Sequence, residues 1–177
     1  MKRKGNHCKY EVSLEKFLRQ KKVPLIPTNE AKKSIDLNGD PLKSFDLMVL
    51  SKGFFLLDVK GKNFGFASAP GNKWENWVLD IDPKALLSWE RTFKKNGCKL
   101  KTLLVFLYKI NFPEDRNQFV DLIKMGRDEY GVVAIEPRKY LKYAKVRSLS
   151  PAAISISRKT FRRIVKPISS FIPALEA

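Results

Sequence analysis

The chain has little histidine and little cysteine. One His and two Cys in 177 residues leave almost nothing for a zinc site. His7 and Cys8 adjoin, but Cys98 stands far away, and no spacing matches a zinc motif. The same scarcity weakens thiol chemistry. No sequence feature positions a Ser–His or Cys–His nucleophile pair, and two reduced, ordinary thiols are expected rather than a disulfide. No apolar run approaches the roughly 18 residues of a membrane span. The basic start, Met1 to Asn6, is followed by no apolar signal segment, so the expected location is cytoplasmic. There is no internal repeat and no linker long enough to divide the chain.

Negative charge is also in short supply. Thirty-five Lys and Arg face eighteen Asp and Glu, which leaves a formal charge of +17. Such a surface attracts polyanions. Nucleic acid is the first partner this implies and an anionic membrane surface the second.

With so few carboxylates, their positions carry information. Two lie in Ser44–Lys62, SFDLMVLSKGFFLLDVKGK, which reads as two apolar strands around the turn Ser51-Lys52-Gly53. Asp46 stands near the start of the first strand, and the second ends in Asp58-Val59-Lys60. Their separation is 58 − 46 = 12 residues, so an antiparallel pairing brings them side by side. Asp58 and Lys60, two apart, share a face. Unpaired charge on buried strands is costly. A Mg²⁺ or Mn²⁺ ion held by Asp46, Asp58 and the Val59 carbonyl would resolve it, with Glu11 joining if its helix packs across the sheet. Such an ion would polarise a phosphoryl oxygen and acidify a bound water, and Lys60 would help orient or deprotonate that water and steady the developing charge.

Around the hairpin, residues 6–21 read as a helix with the stripe Tyr10, Leu14, Phe17 and Leu18. Val23–Pro27 reads as an edge strand, residues 29–33 as one helical turn, and residues 74–81 as a strand with Trp74 and Trp77 on opposite faces. Asp82-Pro83 reads as the N-cap and first position of a helix that Gly97 stops. Leu100–Ile110 reads as a strand buried on both faces. Residues 119–135 form a second hairpin, residues 137–145 a short basic helix, Ala153–Ser157 a strand, and residues 158–165 a helical turn or two. The tail after Pro167 is expected to pack loosely. This is one α/β domain over residues 1–177, with a core of about 6–110 and an extension of about 111–177.

Glu11 on a helix, Asp46 near a strand start and Asp58-Val59-Lys60 on the next strand resemble the PD-(D/E)xK nuclease superfamily of restriction endonucleases and archaeal-type Holliday junction resolvases. The resemblance implies a restriction-endonuclease-like mixed β-sheet flanked by helices, here with an appended β-hairpin and a basic C-terminal segment. It implies that Glu11, Asp46 and Asp58 bind Mg²⁺ or Mn²⁺, that Lys60 is the catalytic lysine, that DNA is the substrate, and that a homodimer is a possible assembly. Phe45 stands where the superfamily usually has proline. Residues Lys9–Arg19, Asn29-Glu30-Ala31, Lys43–Asp46, Trp89, Phe106 and Arg147-Ser148 are similar to an uncharacterised bacterial family named for the motif HYExAFE, with Lys9, Ser13 and Leu14 in place of its His, Ala and Phe.

Glu15 and Glu30 are candidates for a supporting role beside the site. Lys62 and the cluster Arg158, Lys159, Arg162, Arg163 and Lys166 are candidates for phosphate contacts. Two functions follow: a metal-dependent endonuclease, and a non-catalytic nucleic-acid-binding protein that keeps the nuclease fold.

Overall fold

A computed structural model of the chain describes residues 7–28, 34–35, 39, 41–65 and 73–175, residues 7 and 8 through their backbone alone. The order is α1 (His7–Gln20), β1 (Leu25–Pro27), β2 (Ser34–Ile35), β3 (Pro41–Leu42), β4 (Leu47–Leu50), β5 (Phe54–Phe64), β6 (Val78–Leu79), α2 (Ile81–Lys95), β7 (Leu100–Ile110), β8 (Asp121–Met125), β9 (Asp128–Ile135), α3 (Pro137–Tyr143), β10 (Lys145–Leu149), β11 (Ala152–Ser155), α4 (Arg158–Ile164) and β12 (Lys166–Pro167). The main sheet runs β1-β4-β5-β7-β9-β12, with β8 also on β9, and β10-β11-β6 form a smaller sheet. β5 and β7 are parallel, from Phe54 opposite Leu100 to Phe64 opposite Ile110. The other neighbours in the main sheet are antiparallel.

The apolar run of β7 is explained by burial on two faces. Leu103, Val105 and Leu107 enter a core with Leu14 and Leu18 of α1. Leu104, Phe106 and Tyr108 enter a second core with Leu86 of α2, Tyr140 of α3 and Phe161 of α4. A strand with helices on both sides has no solvent face on which to place polar residues. The result is a mixed sheet flanked by helices. The expected second hairpin forms as β8–β9, and β9 joins the main sheet beside β7.

Three expectations change. The tail is not loose: Ile168, Ile172 and Leu175 are buried in the α1-side core, and the Ala174 amide donates to Ser51 Oγ at 3.2 Å. Apolar residues three or four apart gave it a face to bury. The strand expected over 74–81 shrinks to β6. Trp74 takes a left-handed φ of 60° and packs its ring on Phe64, 5.2 Å between centroids. The buried Asn76 side chain then supplies bonds a ladder would have made, accepting from the Ile156 amide at 2.8 Å and donating to its carbonyl at 2.9 Å. The second strand of the central hairpin also does not end at Lys60, since β5 continues to Phe64. The helical turn expected over 29–33 lies outside the described residues.

One contact fixes α1 on the sheet. Gly61, just after Lys60, faces the Tyr10 ring, and a Cβ there would meet Tyr10 Cδ2 at 2.0 Å. Only glycine admits the helix this closely, and Glu11 rides beside Tyr10. We expect Gly61→Ala to force α1 off β5 and to destabilise the fold by about 1–3 kcal/mol, measured by urea unfolding.

Candidate functional site

β4 begins only at Leu47, while β5 runs on well past its partner Leu57. Asp46 sits at that break. Its amide still donates to the Leu57 carbonyl at 2.9 Å. Its side chain then does what the missing strand would have done, as Oδ2 accepts the Val59 amide at 2.5 Å. Beyond this point β5 has no strand partner on that side among the described residues, and a pocket of about 340 Å³ forms there. Glu11, Asp46, Asp58, Val59, Lys60 and Lys62 all line it. Helix, strand end and strand thus bring the expected site residues together.

Two further residues line it, Lys43 and Asp82, which no sequence motif marks as site residues. Asp82 was expected to cap α2. Instead it lies inside the first turn, with Asp80 at the N-cap position. Its Oδ2 accepts the Leu79 amide at 3.0 Å, and it is 2 % exposed. Lys60 Nζ lies 2.9 Å from both Asp58 Oδ2 and Asp82 Oδ2. Lys43 Nζ lies 2.9 Å from Asp82 Oδ1 and 3.3 Å from Asp58 Oδ1. Two carboxylates and two ammonium groups therefore alternate around a closed ring. The only hint in the sequence was a pair of aspartates, Asp80 and Asp82, at a helix start that has one N-cap position.

The ring shifts the protonation of Asp82 and Lys43. Burial works against the charge on Asp82, but Lys60 and Lys43 outweigh it and hold the carboxyl below its usual range. Burial likewise opposes the Lys43 ammonium, and Asp58 and Asp82 overcome it and raise its pKa. Phe45 has a part in placing these groups. Its ring meets Trp89 of α2 edge-on at 5.5 Å, and Trp89 Nε1 donates to the Lys43 carbonyl at 3.0 Å. The residue that replaces the expected proline is thus a docking point for α2.

The other candidates lie elsewhere. Glu15 pairs with Arg19 along α1, 2.8 Å apart, away from the pocket lining. Glu30 lies outside the described residues. Arg158, Lys159, Arg162 and Arg163 are exposed on α4, with Lys166 just beyond, and none lines the pocket. The oxygen donors Glu11, Asp46, Asp58 and the Val59 carbonyl suit a hard divalent cation. Yet no three carboxylate, imidazole or thiol groups among the described residues stand together as a ready metal cluster. Asp58 faces two ammonium groups, and Asp46 is spent partly on the Val59 amide.

Lys62 is different again. It is 9 % exposed, and burial pushes its pKa down to about 8, with Glu75 opposing the shift. Its Nζ lies 3.6 Å from the centroid of the Trp77 ring, a contact that also favours the ammonium.

Two outcomes follow. Asp82→Ala leaves Lys43 and Lys60 sharing Asp58 as their ion-pair partner. It should destabilise the protein by about 3 kcal/mol in chemical denaturation. Asp80→Ala, which breaks only an exposed pair with Lys84, should change stability by about 1 kcal/mol or less. A carboxyl with a depressed folded pKa stabilises above its unfolded pKa, so the Asp82→Ala deficit should shrink below about pH 4. Lys62 has the opposite sign: its ammonium opposes folding below pH 8. Lys62→Met should raise stability at pH 7 by on the order of 1 kcal/mol, and the gain should fade between about pH 8 and 10.5 as the wild-type protein sheds that proton.

No protein-family model matches the chain, and no curated protein matches its sequence. Among solved structures, it is similar to Hjc, a Holliday junction resolvase from the archaeal hyperthermophile Archaeoglobus fulgidus. The TM-score is 0.53 at 8 % identity, over 93 % of this chain and 98 % of the resolvase. At that identity the fold is what the two share: a mixed sheet flanked by helices.

Proposed function

We propose that the protein is a divalent-metal-dependent endonuclease acting on DNA. One observation carries the proposal: Glu11, Asp46, Asp58 and Lys60, from a helix and two strands, line one pocket on a resolvase-like fold. Chance does not readily converge a helical Glu with an Asp and a D-x-K strand. The finer likeness, to the bacterial HYExAFE-motif family, belongs to the same proposal. Two residues that this chain keeps from the motif are Tyr10, seated on Gly61, and Glu11, in the pocket.

The groups that would hold Mg²⁺ or Mn²⁺ are the Glu11, Asp46 and Asp58 carboxylates and the Val59 carbonyl. When bound, the ion supplies Lewis acidity toward a phosphoryl oxygen. The chain's own residues do the rest. Lys60, held between Asp58 and Asp82, presents its Nζ to a non-bridging phosphate oxygen and balances charge that grows there. Asp82 keeps that ammonium oriented. The exposed cations of α4 add salt-dependent grip on the phosphate backbone.

A second function has specific support. The ring sets two ammonium groups beside Asp58, a charge balance that a non-catalytic nucleic-acid-binding protein on this fold keeps without a metal, although Asp58 Oδ2 accepts no hydrogen bond among the described residues.

Cleavage separates the two. Purified protein with Mg²⁺ or Mn²⁺ should cut supercoiled, branched or single-stranded DNA. Asp58→Ala and Lys60→Ala should each slow cutting by on the order of 100-fold or more. DNA binding that survives Asp58→Ala, with no cutting by the wild-type protein, selects the binding protein. Cutting unaffected by both variants moves the site elsewhere.

A further inference from the structure

A second constellation adjoins the charge ring and is not used by it. Trp77 lines the same pocket and is 36 % exposed, whereas Trp74 is buried. Two elements bring cations to its ring. Lys62 comes from β5, two residues beyond Lys60, so the two ammonium side chains leave the same strand face roughly 7 Å apart. No carboxylate among the described residues pairs with Lys62, although the side chain is more than nine-tenths buried. A buried ammonium that touches an aromatic ring and has Glu75 nearby but no carboxylate in ion-pair contact is poised for an anion.

Arg147 comes from β10. There Val146 opposes Ile154 and Ser148 opposes Ala153, so Arg147 is the extra residue of a β-bulge. A bulge re-aims its side chain. The guanidinium carbon lies 5.8 Å from the Trp77 centroid, and Nη1 meets Glu75 Oε1 at 3.2 Å. Glu75 and the bulge thus steer a cation toward the one exposed tryptophan beside Lys60.

We propose that Trp77, Lys62 and Arg147 form a nucleotide subsite, in which the indole stacks an unpaired base and the two cations take the adjoining phosphates. This rests on the nuclease proposal and narrows its substrate to nucleic acid with an unpaired nucleotide beside the cut, such as a single strand, gap or flap. A base inside a duplex is stacked on both sides and offers the indole no face unless it is extruded. An aromatic surface flanked by cations is indifferent to which base it meets, so the subsite selects strand state rather than sequence.

The test is binding in EDTA, where metal-dependent cutting cannot occur. A fluorescein-labelled single-stranded oligonucleotide and the blunt duplex of the same sequence are compared by anisotropy, and indole emission is followed in parallel. The single strand should quench the emission and bind more tightly than the duplex. Trp77→Leu should weaken single-strand binding by about 5- to 150-fold and leave the duplex within about twofold. Trp77→Phe should keep most of the preference. Arg147→Gln, on an exposed strand, should erode the same preference and serves if Trp77→Leu fails to fold. Equal loss on both ligands, or no loss on either, overturns the subsite. Cutting with Mn²⁺ that persists while the preference is absent leaves the nuclease proposal standing alone. A preference that Trp77→Leu removes, with no cutting under any condition, does the reverse.

Discussion

Burying charge without stranding it is the constraint on which the candidate site depends. Asp58 and Asp82 have almost no access to water. Each is tolerable only because two ammonium groups stand beside it, and each ammonium serves both carboxylates. That mutual dependence fixes several elements at once. β5 must present Asp58 and Lys60 on one face, α2 must start where Asp82 meets them, and the chain before β4 must deliver Lys43. Phe45 and Trp89 secure the last two together. A ring of this kind contributes more to choosing one arrangement than to total stability, because desolvation offsets much of its Coulomb energy.

The unequal lengths of β4 and β5 do the complementary job. A sheet with matched strands would leave no opening at Asp58. Starting β4 only at Leu47 exposes the side of β5, and Asp46 relieves the Val59 amide that loses its partner. The carboxylate is therefore structural and chemical at once. The close seat of Tyr10 on Gly61 brings Glu11 to the same opening from the far face of the sheet. Beyond it, Lys62, Trp77 and Arg147 extend the cationic wall from the ring to the surface.

Local pattern made much of this legible. The central hairpin, α1, the edge strand at β1 and the doubly buried β7 all follow from periodicity and turn chemistry. Alternation in β5 was enough to place Asp58 and Lys60 together. Where the local pattern failed, a distant partner had intervened. Trp74–Trp77 reads as strand until Asn76 hydrogen-bonds to Ile156 and supplants the ladder. Asp82 reads as a cap until two lysines, one of them far back in the chain, claim it.

By itself, the amino-acid sequence determined the fold class, the positive surface and a helix–strand–strand set of acidic and basic residues, because these depend on composition and on spacing within single elements. Tertiary structure alone decided that Lys43 and Asp82 complete a charge ring, that the tail seals the α1-side core, and that Trp77 stands exposed beside Lys62 and Arg147. Each of those outcomes joins residues from separate elements. The energy that selects them arises only when water has been excluded from between them.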